Sequence, residues 1–227
     1  MTTADSTHPD PACGEPQPPE GWQRPSLGDL CASIQAGPGL AGRESGKTAT
    51  ADGVPLVLPR DLSGQRIVSP EPAVVPWSAA RTLERYLLAE GDILITRTGT
   101  VGRCALVTPE QCGWLYHPNL VRLRLRPREA GSPGARAAYV TAYLSSAAAQ
   151  DWIRARAAAA VIPSVSARTL GELPVLLPPP AEQETIGATL AALDDKVRAH
   201  TEIARATGEY RAALAEALMS GALAAGP

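Results

Sequence analysis

The hydrophobic pattern is clearest near the C-terminus, where aliphatic residues recur at steps of four, three and four: Ile186, Leu190, Leu193 and Val197. These steps place the four side chains on one stripe of an α-helix. No proline interrupts the following residues before Pro227. The pattern therefore predicts a helix from about Glu182 to Met219, about 55 Å long at ~1.5 Å per residue. A helix of this length with one apolar stripe needs another helix to cover it.

A pattern of period two lies in the middle of the chain, where aliphatic residues alternate with arginines: Val121, Arg122, Leu123, Arg124, Leu125 and Arg126. Period two predicts a strand with the aliphatic side chains on one face and three guanidinium groups on the other. Two interpretations of the basic face stay open. It is either a solvated face of a half-buried strand or a stripe that contacts phosphate.

Shorter patterns complete the predicted elements. They are a strand at Val54–Leu58, a helix at Ala79–Ala89, a hairpin from Gly91 through Ile93 to Cys104–Val107, a helix at Ala137–Ala160 and a strand at Leu173–Leu177. The fold class is α+β. We expect a globular domain with a small twisted β-sheet and flanking helices, followed by one long C-terminal helix acting as a coiled-coil spacer. The boundaries are a disordered proline-rich leader at 1–20, the domain at 21–180, the helix at 181–220 and a tail at 221–227.

Composition narrows the class of protein. No apolar run approaches the ~20 residues of a membrane span, and the N-terminus lacks the basic and apolar regions of a secretory signal. The cysteines are scattered without a Cys-x-x-Cys pair: Cys13, Cys31, Cys104 and Cys112. We therefore expect free thiols in a reducing compartment, and a cytoplasmic protein.

Charge is distributed unevenly, although the formal net charge is only −2. Residues 41–128 hold twelve basic and eight acidic residues, whereas both ends of the chain are acidic. A basic middle between acidic ends fits a protein that touches phosphate with one part only, and it also fits ordinary variation.

The sequence offers no catalytic constellation. The segment containing Gly46, Lys47 and Thr48 satisfies a permissive phosphate-loop pattern, but it lacks a strand before it and a helix after it. The Asn/Asp-Pro-Pro-aromatic motif of an adenine methyltransferase and the spaced carboxylates of a metal-dependent nuclease are missing. The histidines lie far apart in sequence. A binding protein is the simpler interpretation, with a nucleotide-binding enzyme built on the Gly46-Lys47-Thr48 loop as an alternative.

Several motifs, in a fixed order, resemble those of type I restriction–modification specificity subunits. They are Leu27-Gly28-Asp29-Leu30, the run from Gly91 to Arg103 (GDILITRTGTVGR), Ile162-Pro163-Ser164-Val165-Ser166, Pro178-Pro179-Pro180-Ala181-Glu182-Gln183, and Leu218-Met219-Ser220-Gly221-Ala222-Leu223. The resemblance covers roughly Trp22 to Leu223. The sequence departs from the family pattern at Ala160, where a glycine is usual, and at Thr169, near the usual aspartate.

The resemblance implies a non-catalytic DNA-recognition subunit with antiviral defence as its setting. Its partners would be double-stranded DNA, an adenine methyltransferase subunit that carries S-adenosylmethionine, and a translocating restriction subunit; no cofactor and no membrane are expected for this chain. Such subunits hold two recognition domains and two long helices, and this chain has one of each. We therefore expect a homodimer through antiparallel helices, reading a palindromic split site. The alternative is a truncated interaction subunit that pairs with a full specificity subunit or methyltransferase without reading DNA.

Candidate residues follow from residue type and position in loops. The DNA-binding candidates are Arg43, Lys47, Arg60, Arg97, Thr98, Arg103 and Ser164. The residues expected to form the dimerisation and spacer helix interface are Ile186, Leu190, Leu193, Val197, Leu214 and Leu218. No metal ligands are predicted.

Overall fold

A computed structural model describes residues 19–40, 52–127, 134–157 and 162–220 of the chain. Its helices and strands are, in chain order, α1 (Leu27–Leu30), β1 (Cys31–Ala36), β2 (Gly53–Val57), β3 (Leu62–Ser63), β4 (Arg66–Ile67), β5 (Ala73–Pro76), α2 (Trp77–Ala80), β6 (Ile93–Thr96), β7 (Cys104–Leu106), β8 (Leu115–Tyr116), β9 (Leu120–Leu125), α3 (Ala137–Leu144), α4 (Ala147–Arg156), α5 (Ala167–Gly171) and α6 (Pro180–Met219). The α+β class is confirmed, with small sheets, packed helices and one long C-terminal helix.

The main sheet is antiparallel, with its strands in the order β1-β9-β6-β7. All four residues of β6 are buried, because both faces of this strand are covered. Ile93 and Ile95 pack into a cluster with apolar residues of α1, α3, α4 and α5. Leu94 faces the opposite side, where it packs against Tyr116 and Leu120. A smaller sheet, β5-β2-β8, lies on that side. The strand that leads into the candidate DNA-binding turn is thus fixed from both faces.

Two predicted elements differ from the structure between residues 137 and 177. The predicted single helix Ala137–Ala160 is wrong, because α3 ends at Leu144 and α4 starts at Ala147. The hydroxyl of Ser146 accepts a hydrogen bond from the Ala149 amide as an N-cap, which starts a new helix. The predicted strand Leu173–Leu177 pairs with residues 23–27 through backbone hydrogen bonds at residues 173, 175 and 177, with two bridges in place of a continuous strand.

The other predicted elements are present with shifted ends. The strand predicted at Val54–Leu58 is β2, and the hairpin predicted after Gly91 is β6 and β7. The helix predicted at Ala79–Ala89 is α2 followed by a 3₁₀ helix at Arg81–Tyr86. Most of the predicted leader and the tail 221–227 lie outside the described residues. None of the described helices combines the length and apolar character needed to span a membrane.

Helix α6 begins at Pro180, as expected for a residue that cannot donate a backbone hydrogen bond. Three residues later the buried side chain of Gln183 accepts a hydrogen bond from the Arg136 amide at 2.8 Å and donates to the carbonyls of Pro178 and Gly134. Gly187 lies against α3, where an added Cβ would come within 3.3 Å of the Tyr139 amide nitrogen. The base of α6 is therefore seated closely on the domain.

Candidate nucleic-acid interface

The turn between β6 and β7, residues 97–103, is held by the buried side chain of Thr96. Its hydroxyl donates to the Thr100 carbonyl at 2.5 Å and accepts from the Arg103 amide at 2.9 Å. The backbone of Thr96 also pairs with Arg103 and Gly102. Gly99 and Gly102 have φ of 77° and 95°, a region that favours glycine. Thr96 and the two glycines thus give the turn one fixed shape.

A second segment, residues 163–165, lies beside the 97–103 turn. The Gly99 amide donates to the Pro163 carbonyl at 3.0 Å, and the Val165 amide donates to the Arg97 carbonyl at 2.9 Å. Thr98 and Ser164 form the bridge between the two segments. The structure therefore brings three of the candidates, Arg97, Thr98 and Ser164, to one place. Two motifs far apart in sequence form a single surface.

Helix α4 supports this surface through Gln150. Its side-chain amide donates to the Gly102 carbonyl at 2.8 Å and to the Leu144 carbonyl at 2.7 Å. An added Cβ at Gly102 would lie 2.7 Å from the Gln150 side-chain oxygen. Gln150 was not singled out from the sequence. The available signal was Ser146, four residues earlier, which as an N-cap residue marks the start of α4.

The candidates on this surface differ in exposure. Arg103 and Ser164 are exposed, whereas Arg97 and Thr98 are half-buried. The Nε of Arg97 is buried without a hydrogen-bond partner among the described residues. A buried donor without a partner costs free energy, and the Nε of Arg122 is in the same state. Cys104, directly after the turn, packs into the core, and burial raises the pKa of its thiol to about 11.

Among the remaining candidates, the described residues include only Arg60. Arg60 is in a 3₁₀ helix, Pro59–Asp61, with its Nε 3.8 Å from the Asp61 carboxylate and its side chain 67% exposed. Arg43 and Lys47 lie outside the described residues, as does the whole Gly46-Lys47-Thr48 loop. Within the described ranges, no group of three His, Cys, Asp or Glu side chains could hold a metal ion.

The basic face of β9 is covered at Arg122, so neither interpretation of it is right there, whereas Arg124 keeps 39% of its side chain exposed beside Asp92. Arg122 is 4% exposed and donates to the carbonyls of Arg85 and Leu87 and to the Gln35 side chain. Arg124 makes two hydrogen bonds with the Asp92 carboxylate, at 2.7 and 2.6 Å. The segment at Arg85–Leu87 covers the face that the alternation left for solvent or phosphate.

The apolar stripe of α6 divides into a covered and an uncovered part. Ile186, predicted for the dimer interface, instead packs against the core of its own domain. The exposed fractions then rise to 39% at Leu190, 50% at Leu193 and 64% at Val197. Every residue from 196 to 213 is exposed. Leu214 is half-buried and Leu218 is 58% exposed.

The chain is similar to known proteins across nearly all of the described structure. The family model for the type I restriction modification DNA specificity domain matches residues 19–206. No match was found among curated proteins.

Solved structures share the fold at low sequence identity. A chain from a structural study of the assembly and conformational transition of the type I R-M system is 19% identical, with a TM-score of 0.64 over 93% of this chain. The HsdS subunit from Thermoanaerobacter tengcongensis is 19% identical, with a TM-score of 0.58 over 92%. The S subunit from M. genitalium is 15% identical, with a TM-score of 0.59 over 88%. This chain spans about half of each, namely 48%, 49% and 46%.

Proposed function

The chain belongs to the type I restriction–modification DNA specificity family, and from that membership we propose that it reads one half of a bipartite DNA site as a homodimer. The observation that carries the proposal is the uncovered apolar stripe of α6, in a sequence that spans 49% of the matched HsdS subunit. Two copies would supply two recognition domains and two long helices. A two-fold axis would make the half-sites palindromic.

The dimer would form by antiparallel packing of α6 along Leu190, Leu193, Val197 and Leu218. These side chains are between 39% and 64% exposed, and burying apolar surface is the main driving force for association. The opposite face of the helix carries ion pairs within the helix itself, such as Arg205 with Glu202 and Glu209. One helix face is thus suited to a partner helix and the other to water.

DNA contact would come from the surface formed by the 97–103 turn and the 163–165 segment. Arg103 offers a guanidinium group for phosphate or guanine, and the Ser164 hydroxyl can donate to phosphate. Arg97 adds a half-buried cation at the start of the turn. Arg60 would contribute from a separate position, and Arg43 and Lys47 remain proposed contacts.

The partners follow from the role of a specificity subunit. A methyltransferase subunit would bring S-adenosylmethionine and the chemistry, and a translocating subunit would cut. This chain would hold them at the chosen site without binding a cofactor and without catalysing a step itself.

One alternative has an observation in its favour. The net charge is −2, and Arg122 and Arg124 make internal contacts that reduce the positive charge available to DNA. A chain of this kind could pair with a full-length specificity subunit or with the methyltransferase and not read DNA.

Selection from a random DNA library by the purified chain, with and without its methyltransferase, tests the proposal. We expect enrichment of one palindromic, split sequence with a fixed gap. Methyltransferase binding without any enrichment would support the alternative. In cells, deleting the gene should remove adenine methylation at that same sequence, as read by single-molecule sequencing.

Light scattering on the eluting peak of a size-exclusion column tests the dimer independently. A mass of twice 23.6 kDa is expected at tens of micromolar chain. A monomer under those conditions would refute the dimer.

A further inference from the structure

The hairpin of β3 and β4 reaches from the recognition domain to helix α6. Its turn residues, Gly64 and Gln65, have φ of 54° and 61°. Gln65 is the one non-glycine residue with positive φ among the described residues, a conformation that costs free energy for a residue with a Cβ. The backbone of Gln65 is also tied to β7, because the Leu106 amide donates to its carbonyl at 3.0 Å.

Both residues after the glycine bind the helix. The Gln65 side-chain amide donates to the Asp194 carboxylate at 2.9 Å. Arg66 donates to the Asp195 carboxylate at 2.6 Å. The same oxygen of Asp195 accepts from Arg198, at 3.2 Å, on its own helix. We name this pair of contacts, Gln65–Asp194 and Arg66–Asp195, the hairpin clamp.

The hairpin clamp is the second of two attachments of α6 to the domain. The first is the base of the helix, where Gln183 and Gly187 are held. A partly open pocket of about 120 Å³ lies beside the clamp and is lined by residues of both attachments, among them Gly187, Arg66 and Asp194. Helix α6 is thus held at two places along its length, and two points of attachment constrain the direction of a rod.

The direction of α6 matters because the helix continues far beyond the clamp. Residues 196–219 extend for about 36 Å at ~1.5 Å per residue. A tilt of about 10° at the clamp moves the far end by about 6 Å, close to the length of two base pairs at ~3.4 Å each. A small change of angle would thus change which half-site spacing a pair of domains can reach.

We propose that Gln65 and Arg66 determine the half-site spacing that the protein accepts, by fixing the angle at which α6 leaves the recognition domain. This rests on the proposed dimer. The two contacts are partly exposed, with Arg66 42% and Asp195 47% exposed as side chains. Such ion pairs add little to overall stability. Their effect is on direction, so it shows in geometry and DNA spacing and only slightly in melting temperature.

The angle is measured by the distance between two spin labels on the full chain. One label is placed on exposed Cys112 in the domain, and the other on a cysteine replacing Glu216 near the far end of α6. Cys13 is replaced by serine, and labelled chains are diluted with unlabelled ones so that only distances within one chain are recorded. The readout needs no DNA, and it is recorded at chain concentrations at which circular dichroism shows α6 to be helical.

The test variant is Gln65→Ala with Arg66→Ala. We expect its distance distribution to broaden and its mean to move by about 5 Å or more. In the library selection, we expect it to keep the half-site sequence but accept gaps one or two base pairs longer or shorter. The variant Arg66→Lys, which keeps the positive charge, should restore most of the wild-type distribution when combined with native Gln65.

The matched control is Arg154→Ala. It also removes an arginine from an exposed ion pair, but that pair, with Asp151, lies within α4 and not on α6. Its distance distribution and gap profile should equal those of the wild type. The proposal is overturned if the double variant keeps the wild-type distances, or if its distances change and its gap preference does not. A monomer in light scattering refutes the proposed dimer instead, while the distances still report on the clamp.

Discussion

The side-chain amide of Gln150 lies 2.8 Å from the carbonyl oxygen of Gly102, and this hydrogen bond ties helix α4 to the turn that carries the candidate DNA-binding residues. The same amide group donates to the Leu144 carbonyl at the end of α3. The break between α3 and α4, which interrupts the predicted single helix, is therefore where the turn gains its support.

Replacing Gly102 by alanine should lower the free energy of unfolding by about 2–3 kcal/mol. The φ of 95° is unfavourable for alanine, by about 1–2 kcal/mol, and the new Cβ would displace the Gln150 side chain, whose hydrogen bond to the residue 102 carbonyl is worth about 1 kcal/mol. Urea denaturation measures the loss. Gly99→Ala is the matched control, because its φ is 77° but nothing lies within 4 Å of an added Cβ. Equal losses in the two variants would contradict the role of Gln150.

Removing the Asp92 carboxylate should be strongly destabilising. Asp92 is 1% exposed, binds Arg124 through two hydrogen bonds and accepts the Ala89 amide at 2.9 Å. The Arg124 side chain is 39% exposed, so it is not left as a buried charge. Losing hydrogen bonds to a charged group costs about 1.5–3 kcal/mol, and Asp92→Ala should show that loss in urea denaturation. Asp151→Ala, which breaks an exposed pair with Arg154, should change stability by less than about 0.5 kcal/mol. A small effect at Asp92 would refute the interpretation of the β9 arginines as internal contacts.

Replacing Arg103 by alanine should weaken DNA binding. If Arg103 contacts phosphate, the affinity falls on all sequences and the slope of log affinity against log salt decreases by about 0.9. If it contacts guanine, the loss is confined to one base position. Fluorescence anisotropy with the selected site and single-base variants separates the two. Arg205→Ala controls for the loss of one arginine, and an affinity of Arg103→Ala equal to the wild type would remove Arg103 from the interface.

Placing a carboxylate on the apolar stripe should prevent dimerisation. Val197 is 64% exposed, so Val197→Asp should leave the domain folded, while two buried carboxylates would oppose helix pairing. Light scattering should give the monomer mass. Ala199→Asp is the control, because two residues along a helix rotate the position by about 200° to another face. A dimer that persists in Val197→Asp would place the interface elsewhere.

Stability should fall in alkaline solution because of two buried thiols. Burial raises the pKa of Cys31 to about 12 and of Cys104 to about 11, from 9.0. Below pH 9 both the folded and the unfolded chain keep these protons. Above it the unfolded chain loses them first, so each thiol lowers the free energy of unfolding by up to about 1.4 kcal/mol per pH unit. The fall continues until the folded pKa is reached. Urea denaturation between pH 8 and 11 measures the slope of the free energy of unfolding against pH. Cys31→Ala should reduce this slope, and an unchanged slope would contradict the prediction.

Local sequence patterns predicted the helices and strands better than they predicted what packs against each of them. The alternation from Val121 identified β9, and the steps of four and three identified α6. The same alternation could not reveal that Arg122 is covered, because the carbonyls of Arg85 and Leu87 come from a segment more than thirty residues earlier. Two serines inside an alanine-rich run were a signal for a helix cap. The break between α3 and α4 at Ser146 could therefore have been predicted from the sequence.

The candidate site was predictable in part. The glycine-punctuated turn at 97–103 was expected from Gly99 and Gly102, whose positive φ has a clear sequence signature. Its pairing with the 163–165 segment joins residues more than sixty positions apart, and no periodicity encodes a contact at that range. The hairpin clamp was not predicted for the same reason, because Gln65 and Asp194 are 129 positions apart in the sequence.

The uncovered part of α6 depends on a partner for its helical structure. Residues 196–213 touch no other part of the described chain closely enough to be shielded, so their helical state rests on intrinsic propensity and a few ion pairs such as Arg205–Glu209. Most helical stability in proteins comes from packing against other elements and not from intrinsic propensity. Folding of the far half of α6 is then coupled to whatever covers it. The magnitude of the negative mean residue ellipticity at 222 nm would therefore increase with chain concentration. The helix content of α6 would thus report on assembly.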